Sequence, residues 1–322
     1  MSAATHDHAD ADARQHSLSR KFGTQRTDPT GTKTLRSQYG SQLYKRWRRV
    51  KGAVLEVTVN RDALGLRDQQ APALQQEIPP DDFPQPEEPV QVPLPGISDA
   101  FGTTPGTGVD TLAFDMTDYL DWFGSAVDRA VTSPEGWSDE YVTYAYRKGV
   151  EDATRRLAQS GVIEEGAGAV ELSFDVPIHQ STIKTLLERN NRGLEGVSAA
   201  TKREVGRILT DGLLEGKNAW DIGDEINDRI DAIGINRART HAQTVVVGSY
   251  NEAALRRYEQ AIGDEGDVTV LAEWTTANDD RVCPICLALE GNVYSVREAK
   301  GMMPAHPGCR CTWVPVQQGV HT

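Results

Sequence analysis

The sequence predicts an α+β protein: a mostly helical body, a small C-terminal β module rich in cysteine, a separate N-terminal helix, and a proline-rich extended linker between that helix and the body. Three observations carry this reading. Apolar residues recur at spacings of three and four over most of the chain, alternation with period two is concentrated beyond residue 263, and nine of the sixteen prolines fall between Arg67 and Gly108.

Residues 1–27 are polar and aperiodic and read as a disordered tail. Residues 28–66 hold an amphipathic helix whose apolar stripe is Leu35, Tyr39, Leu43, Trp47, Val50, Val54 and Val57. Its polar face carries Lys33, Arg36, Lys45, Arg46, Arg48, Arg49 and Lys51, a basic band on a chain of net charge -13. Lys45, Arg46, Arg48, Arg49 and Lys51 are the candidate contacts to an acidic partner or to phosphates, against the plain alternative of a solvated face paired with acids of the same chain. Residues 67–109 form the linker, because proline at that density suits neither a helix interior nor a central strand.

The helical body spans residues 110–262. Stripes run through "VDTLAFDMTDYLDWFGSAVDRAV" and "SDEYVTYAYRKGVEDATRRLAQSG", the second with Ser138 as N-cap. "AVELSFDVPIH" suggests a short strand. Separate helices follow in "STIKTLLERNNRGLEG", "SAATKREVGRILTDGLLEGK" and "AWDIGDEINDRIDAIG", with Gly216 and Gly234 at C-cap positions and Ile222, Ile226 and Ile230 on one buried face. The longest helix covers about residues 236–262, where Ala238, Ala242, Gly248, Ala253 and Ala254 permit close packing.

In residues 263–317, "DVTVLAEWTT", "NVYSV" and "CTWVPV" read as short strands, and residues 318–322 as a tail. All four cysteines lie here, in the loops. Cys283 and Cys286 form a C-x2-C turn, and the second half reads His306-Pro-Gly-Cys309-Arg-Cys311. Two such pairs about twenty residues apart have the spacing of a zinc knuckle, in which each tight turn supplies two ligands to a tetrahedral Zn2+. The best set is Cys283, Cys286, His306 and Cys309, with Cys311 as substitute for one of them or as a small core residue. Disulfides formed after release from the cell and reduced, unliganded thiols are the alternatives. Neither a βαβ unit for thiol redox chemistry nor the histidines of a metal-dependent nuclease finger are recognisable, so no enzymatic activity is expected.

No apolar run approaches a membrane span, and the N-terminal residues lack the apolar core of a signal peptide, which places synthesis in a reducing cytoplasm and gives no membrane partner. Only nine of the 34 basic residues are lysine. This acidic, arginine-biased balance suits a salt-rich source and argues against a dedicated nucleic-acid binder.

The C-terminal phrases resemble the Mu F-like minor head proteins of tailed viruses, the phage head morphogenesis family. The resemblance runs from about residue 180 to 316, and its most specific part is the strand with Trp274, "DDRVC", "LEG" with Gly291, then "PAHPGCRC" leading to "VPV". "RARTHAQTVVVGSYNEAALRRY" is similar to the family's long helix, although His241 stands where many relatives carry an acid. The resemblance implies a non-catalytic structural protein of the virion head, in several copies, that associates with the portal protein at the portal vertex, with the major capsid protein or other head proteins as further partners, and assists head assembly, genome packaging or delivery. It leaves no room for a downstream enzyme, and it suggests a virus of a halophilic archaeon. The alternative is a DNA-binding zinc-module protein acting on the packaged genome, with genomic DNA as its partner.

Overall fold

The computed structural model describes residues 28–66, 114–132, 136–163, 177–265 and 269–317. The expected tails and linker, and the residues 169–176 of the expected strand, lie outside the described residues.

Among the described residues, six helices precede a three-stranded sheet: α1 (Lys33–Leu55), α2 (Met116–Val127), α3 (Asp139–Gln159), α4 (Pro177–Leu214), α5 (Ala219–Arg229) and α6 (Asn236–Glu265). Helices α1, α2 and α5 each run on into a π-helical turn, at Glu56–Asn60, Asp128–Thr132 and Ile230–Ile235. Strands β1 (Val270–Thr275), β2 (Val293–Ser295) and β3 (Thr312–Gln317) form an antiparallel sheet in the order β2-β1-β3, with Trp274 opposite Trp313. Short helices α7 (Pro284–Leu289) and α8 (Val296–Ala299) sit in its connections. The fold is the α+β arrangement that the sequence predicts. None of the described helices is long and apolar enough to cross a membrane.

The N-terminal helix is separate from the body along the chain but not in space. Its stripe of Leu35, Tyr39, Leu43, Trp47, Val50 and Val54 is buried in the main core together with Phe123, Val205, Ile208, Ile222, Ile226 and Ile230. A helix with so many large apolar side chains on one face must cover them, and the body supplies the cover. Phe114 N–H donates to the Ala63 carbonyl, which brings the two flanks of residues 67–113 together.

Four expectations are corrected. The two helices expected between residues 181 and 217 are one helix of 38 residues, α4, which is thus longer than the 30-residue α6 expected to be the longest, and whose first residues Pro177, Ile178 and His179 replace the end of the expected strand. Gly193 within it lets α6 approach: a Cβ there would lie 2.2 Å from the His241 ring. Gly234 is no C-cap either; it lies in the π turn, where a Cβ would stand 2.8 Å from the Trp47 ring, so the glycine serves helix contact. Ser138 begins α3 but makes no side-chain cap, since its Oγ accepts from Asn190 Nδ2 at 2.8 Å. The cysteines are not all in loops, because Cys283 caps and Cys286 belongs to α7. Gly216, by contrast, has the positive φ of 69° that a helix C-cap requires.

Asn190 organises a polar cluster inside the helical core. Its Oδ1 accepts from Tyr39 Oη at 2.7 Å and lies 2.9 Å from His241 Nε2, so the His241 ring carries its proton on Nε2 and is neutral. Burial lowers the His241 pKa from 6.5 to about 4. Below pH 6.5 the unfolded chain therefore takes up a proton that the native chain refuses until about pH 4, and stability falls across this window by roughly 3 kcal/mol. Denaturant titrations from pH 7 to 4 are expected to show that loss, and His241→Gln, which still donates to Asn190 but has no proton to gain, is expected to remove most of it.

Candidate metal centre

The sheet and α6 enclose a second core of Leu157, Tyr258, Val270, Trp274 and Trp313, to which Cys286, Cys309 and Cys311 belong. The cysteines thus stand at the rim of a packed interior, and all four are free thiols.

Each half of the cluster is shaped locally. Cys283 adopts an extended conformation before Pro284, and its Sγ accepts from the Cys286 N–H at 3.4 Å, the N–H to sulfur bond that folds the first turn. Gly308, with φ at 79°, turns the second half so that Cys309 follows His306 closely, and Cys309 N–H donates to the His306 carbonyl at 3.1 Å. His306 Nδ1 lies 2.9 Å from the Pro307 carbonyl and donates its proton there. That leaves the Nε2 lone pair facing the sulfurs, the orientation a metal-binding imidazole requires.

His306 Nε2 lies 3.2 Å from Cys283 Sγ and 3.2 Å from Cys286 Sγ, and Cys286 Sγ is 3.9 Å from Cys309 Sγ. Tetrahedral zinc with ordinary bond lengths would set ligand atoms at roughly 3.5 Å for nitrogen and sulfur and roughly 3.8 Å for two sulfurs. The donors fit such a centre. Among the described residues they form two triads, Cys283, Cys286 and His306, and Cys286, Cys309 and Cys311, each with its ligand atoms within 4.8 Å of one another, and Cys286 is common to both. The structure brings Cys283, Cys286 and His306 together, and places Cys309 and Cys311 on the other side of Cys286.

Electrostatics divides the thiols. Burial pushes Cys286 up to about 12, whereas hydrogen bonding from Cys311 holds Cys309 down at about 5 and raises Cys311 in turn. Hydrogen bonding to the Pro307 carbonyl raises His306.

The residues that dock this cluster were not visible in the sequence pattern. Gly308 N–H donates to Thr244 Oγ1 at 2.8 Å, and Gln243 Nε2 donates to the Gly308 carbonyl. Asn251 Nδ2 donates to the Cys311 carbonyl at 3.0 Å while its Oδ1 accepts from Trp313 N–H at 3.0 Å. Glu290 caps the end of β1 by accepting from Thr276 N–H at 2.7 Å, and Asp279 takes two bonds from Arg310, at 2.7 and 2.5 Å, which hold its carboxyl below the usual carboxylate range. The available signal was Asn251, a polar residue two turns beyond Gln243 and Thr244 on α6 whose buried amide requires a partner.

Residues 203–314 match the family model described as Phage Mu protein F like protein. That segment, about one third of the chain, is similar to this family of phage head morphogenesis proteins. The Mu F-like segment runs from the second half of α4 through α5, α6 and the sheet, and holds every cysteine and His306. Comparison with curated proteins and with solved structures gives no match.

The basic band of α1 lies outside this segment. Arg46 stacks on Trp137, its guanidinium carbon 3.9 Å from the ring centre, and donates to the Ala130 carbonyl at 2.9 Å; Lys51 pairs with Asp231 at 2.5 Å. Lys45, Arg48 and Arg49 are exposed.

Proposed function

We propose that the chain is a non-catalytic minor head protein that docks at the portal vertex or the inner capsid and assists head assembly, packaging or delivery, and that its Cys and His cluster holds a structural Zn2+. The observation that carries this reading is the Mu F-like segment, which contains the whole cluster. The cluster's position supports a structural role: three of its four sulfurs are buried against Trp313 and Val270 in a core shared with α6, an arrangement suited to fixing strands and helices relative to one another. Zinc fits because two borderline-soft donor types converge at tetrahedral spacing with a tautomer set by the backbone.

Co-expression with the portal protein and the major capsid protein of the same virus, followed by nuclease treatment and affinity capture, tests the docking. The expected result is capture of portal in nuclease-treated lysate. Capture that disappears with nuclease would instead assign the chain to DNA, and a Lys45→Glu, Arg48→Glu, Arg49→Glu variant that loses salt-sensitive DNA binding would locate the contact.

A further inference from the structure

A cavity of ≈ 480 Å³ opens where α1, α6 and the metal-bearing module meet, within the size range of small-ligand sites. Five cations line it: Lys33 and Arg36 from α1, Arg239 from α6, and Arg281 and Arg310 from the module. No carboxylate stands among the lining residues. Asp28 and Asp279 lie behind them, Asp28 paired with Arg36 at 2.6 Å and Asp279 with Arg310 and Arg281, which leaves a surplus of three positive charges around one cavity of an acidic chain. Neither Lys33 nor Arg239 has a carboxylate partner among the described residues; Arg239 stands over the Tyr44 ring at 5.6 Å. These cations repel one another: burial, and after it the charges of Arg310 and Arg281, lower the Arg36 pKa despite the pull of Asp28. A fold tolerates such convergence when an anion neutralises it.

We propose that this cavity binds a phosphate-bearing polyanion, held by Lys33, Arg36, Arg239, Arg281 and Arg310 together. A surplus of three charges calls for several closely spaced negative charges, which one carboxylate does not supply, and forked guanidinium groups match phosphate oxygens two at a time. Arg281 and Arg310 lie beside Cys283 and between Cys309 and Cys311, so the cluster fixes one wall of the cavity. The α1 wall lies outside the Mu F-like segment, so the site belongs to this chain's own assembly of the two. The source of the phosphate is either a free polyphosphate or nucleotide, or the backbone of a nucleic acid. The proposal goes beyond the head-docking reading and stands whether or not portal is captured.

The test uses the full chain and titrates sodium tripolyphosphate, a 20-nucleotide single strand, and a glutamate decamer by calorimetry at low and at physiological salt. Tripolyphosphate is expected to bind at one site per chain and to weaken with salt. Lys33→Gln with Arg239→Gln, and separately Arg281→Gln on its exposed side chain, should each weaken it at least about tenfold, with melting temperatures held near the wild-type value. Lys45→Gln with Arg49→Gln, outside the cavity, should leave it unchanged. Tighter binding of the single strand than of tripolyphosphate with the same variant pattern identifies a nucleic-acid backbone as the source. The proposal is overturned by absence of phosphate binding at low salt, by equal loss in the Lys45 and Arg49 variant, or by the glutamate decamer binding tighter than either phosphate probe, which would make the cavity a site for acidic polypeptide.

Discussion

Gly149→Ala is expected to destabilise the protein by about 3 kcal/mol, lowering the melting temperature by roughly 6–12 °C. In a helix interior the same exchange ordinarily stabilises, by up to about 1 kcal/mol, because alanine restricts the unfolded chain and favours the helix. Geometry reverses the sign. A Cβ on Gly149 would stand 2.3 Å from the backbone oxygen of Tyr250 and 2.8 Å from the Ala253 Cβ, where α3 crosses α6. The first contact is with backbone in the middle of a 30-residue helix and cannot be relieved by turning a side chain. The helices must separate, and with them Tyr250, whose hydroxyl donates to Asp152 across the same crossing at 3.0 Å. Gly52→Ala is the control: it is also helical, nothing lies within 4 Å of its Cβ position, and a small gain in melting temperature is expected. Calorimetric melts of both variants decide it, and an unchanged Gly149→Ala would show that α3 and α6 do not cross as closely as described.

That crossing also shows how much was legible in the sequence. The small residues Ala253 and Ala254 on α6 marked a close approach, since small side chains at helical spacing have that consequence, but the partner at Gly149 was hidden because an isolated glycine reads first as a helix weakener. Gly234 was misread for the same reason: its conformational freedom suggested a helix end, whereas the structure uses its lack of a side chain against Trp47. Local pattern located α1, α3, α6 and the three strands because each buries a face whose period is written in consecutive residues. It could not place α1 in the core, because what covers an apolar stripe lies far away in the chain. In the candidate metal cluster, the convergence of Cys283, Cys286 and His306 was legible from residue chemistry and spacing, while Gln243, Thr244 and Asn251 were not, because they act by bonding backbone groups some sixty residues on.

Removing the metal is expected to melt the C-terminal module while leaving most of the helical body folded. The cluster closes the second core, around Trp274 and Trp313, and the first core, around Trp47 and the α5 isoleucines, is a distinct set of side chains. Structural zinc contributes on the order of 10 kcal/mol in small modules where folding and binding are one event. A three-stranded sheet with a three-residue edge strand has little else to hold the turn at Cys283 to the turn at His306. The protein as purified should contain one zinc per chain. Chelation should then release a low-temperature transition, seen in tryptophan fluorescence from Trp274 and Trp313, with helical circular dichroism largely retained until a second transition. Cys283→Ser, Cys286→Ser and His306→Ala should each reproduce it without chelator. Cys309→Ser and Cys311→Ser are expected to differ, because two sulfurs compete for one remaining position: whichever variant loses zinc identifies the fourth ligand, and the other should keep the metal and lose only the packing of a small buried thiol, about 1 kcal/mol. Stoichiometry near zero in protein purified without chelator, together with a melting curve indifferent to chelation, would overturn the metal centre and leave the cysteines as free thiols at the edge of the core.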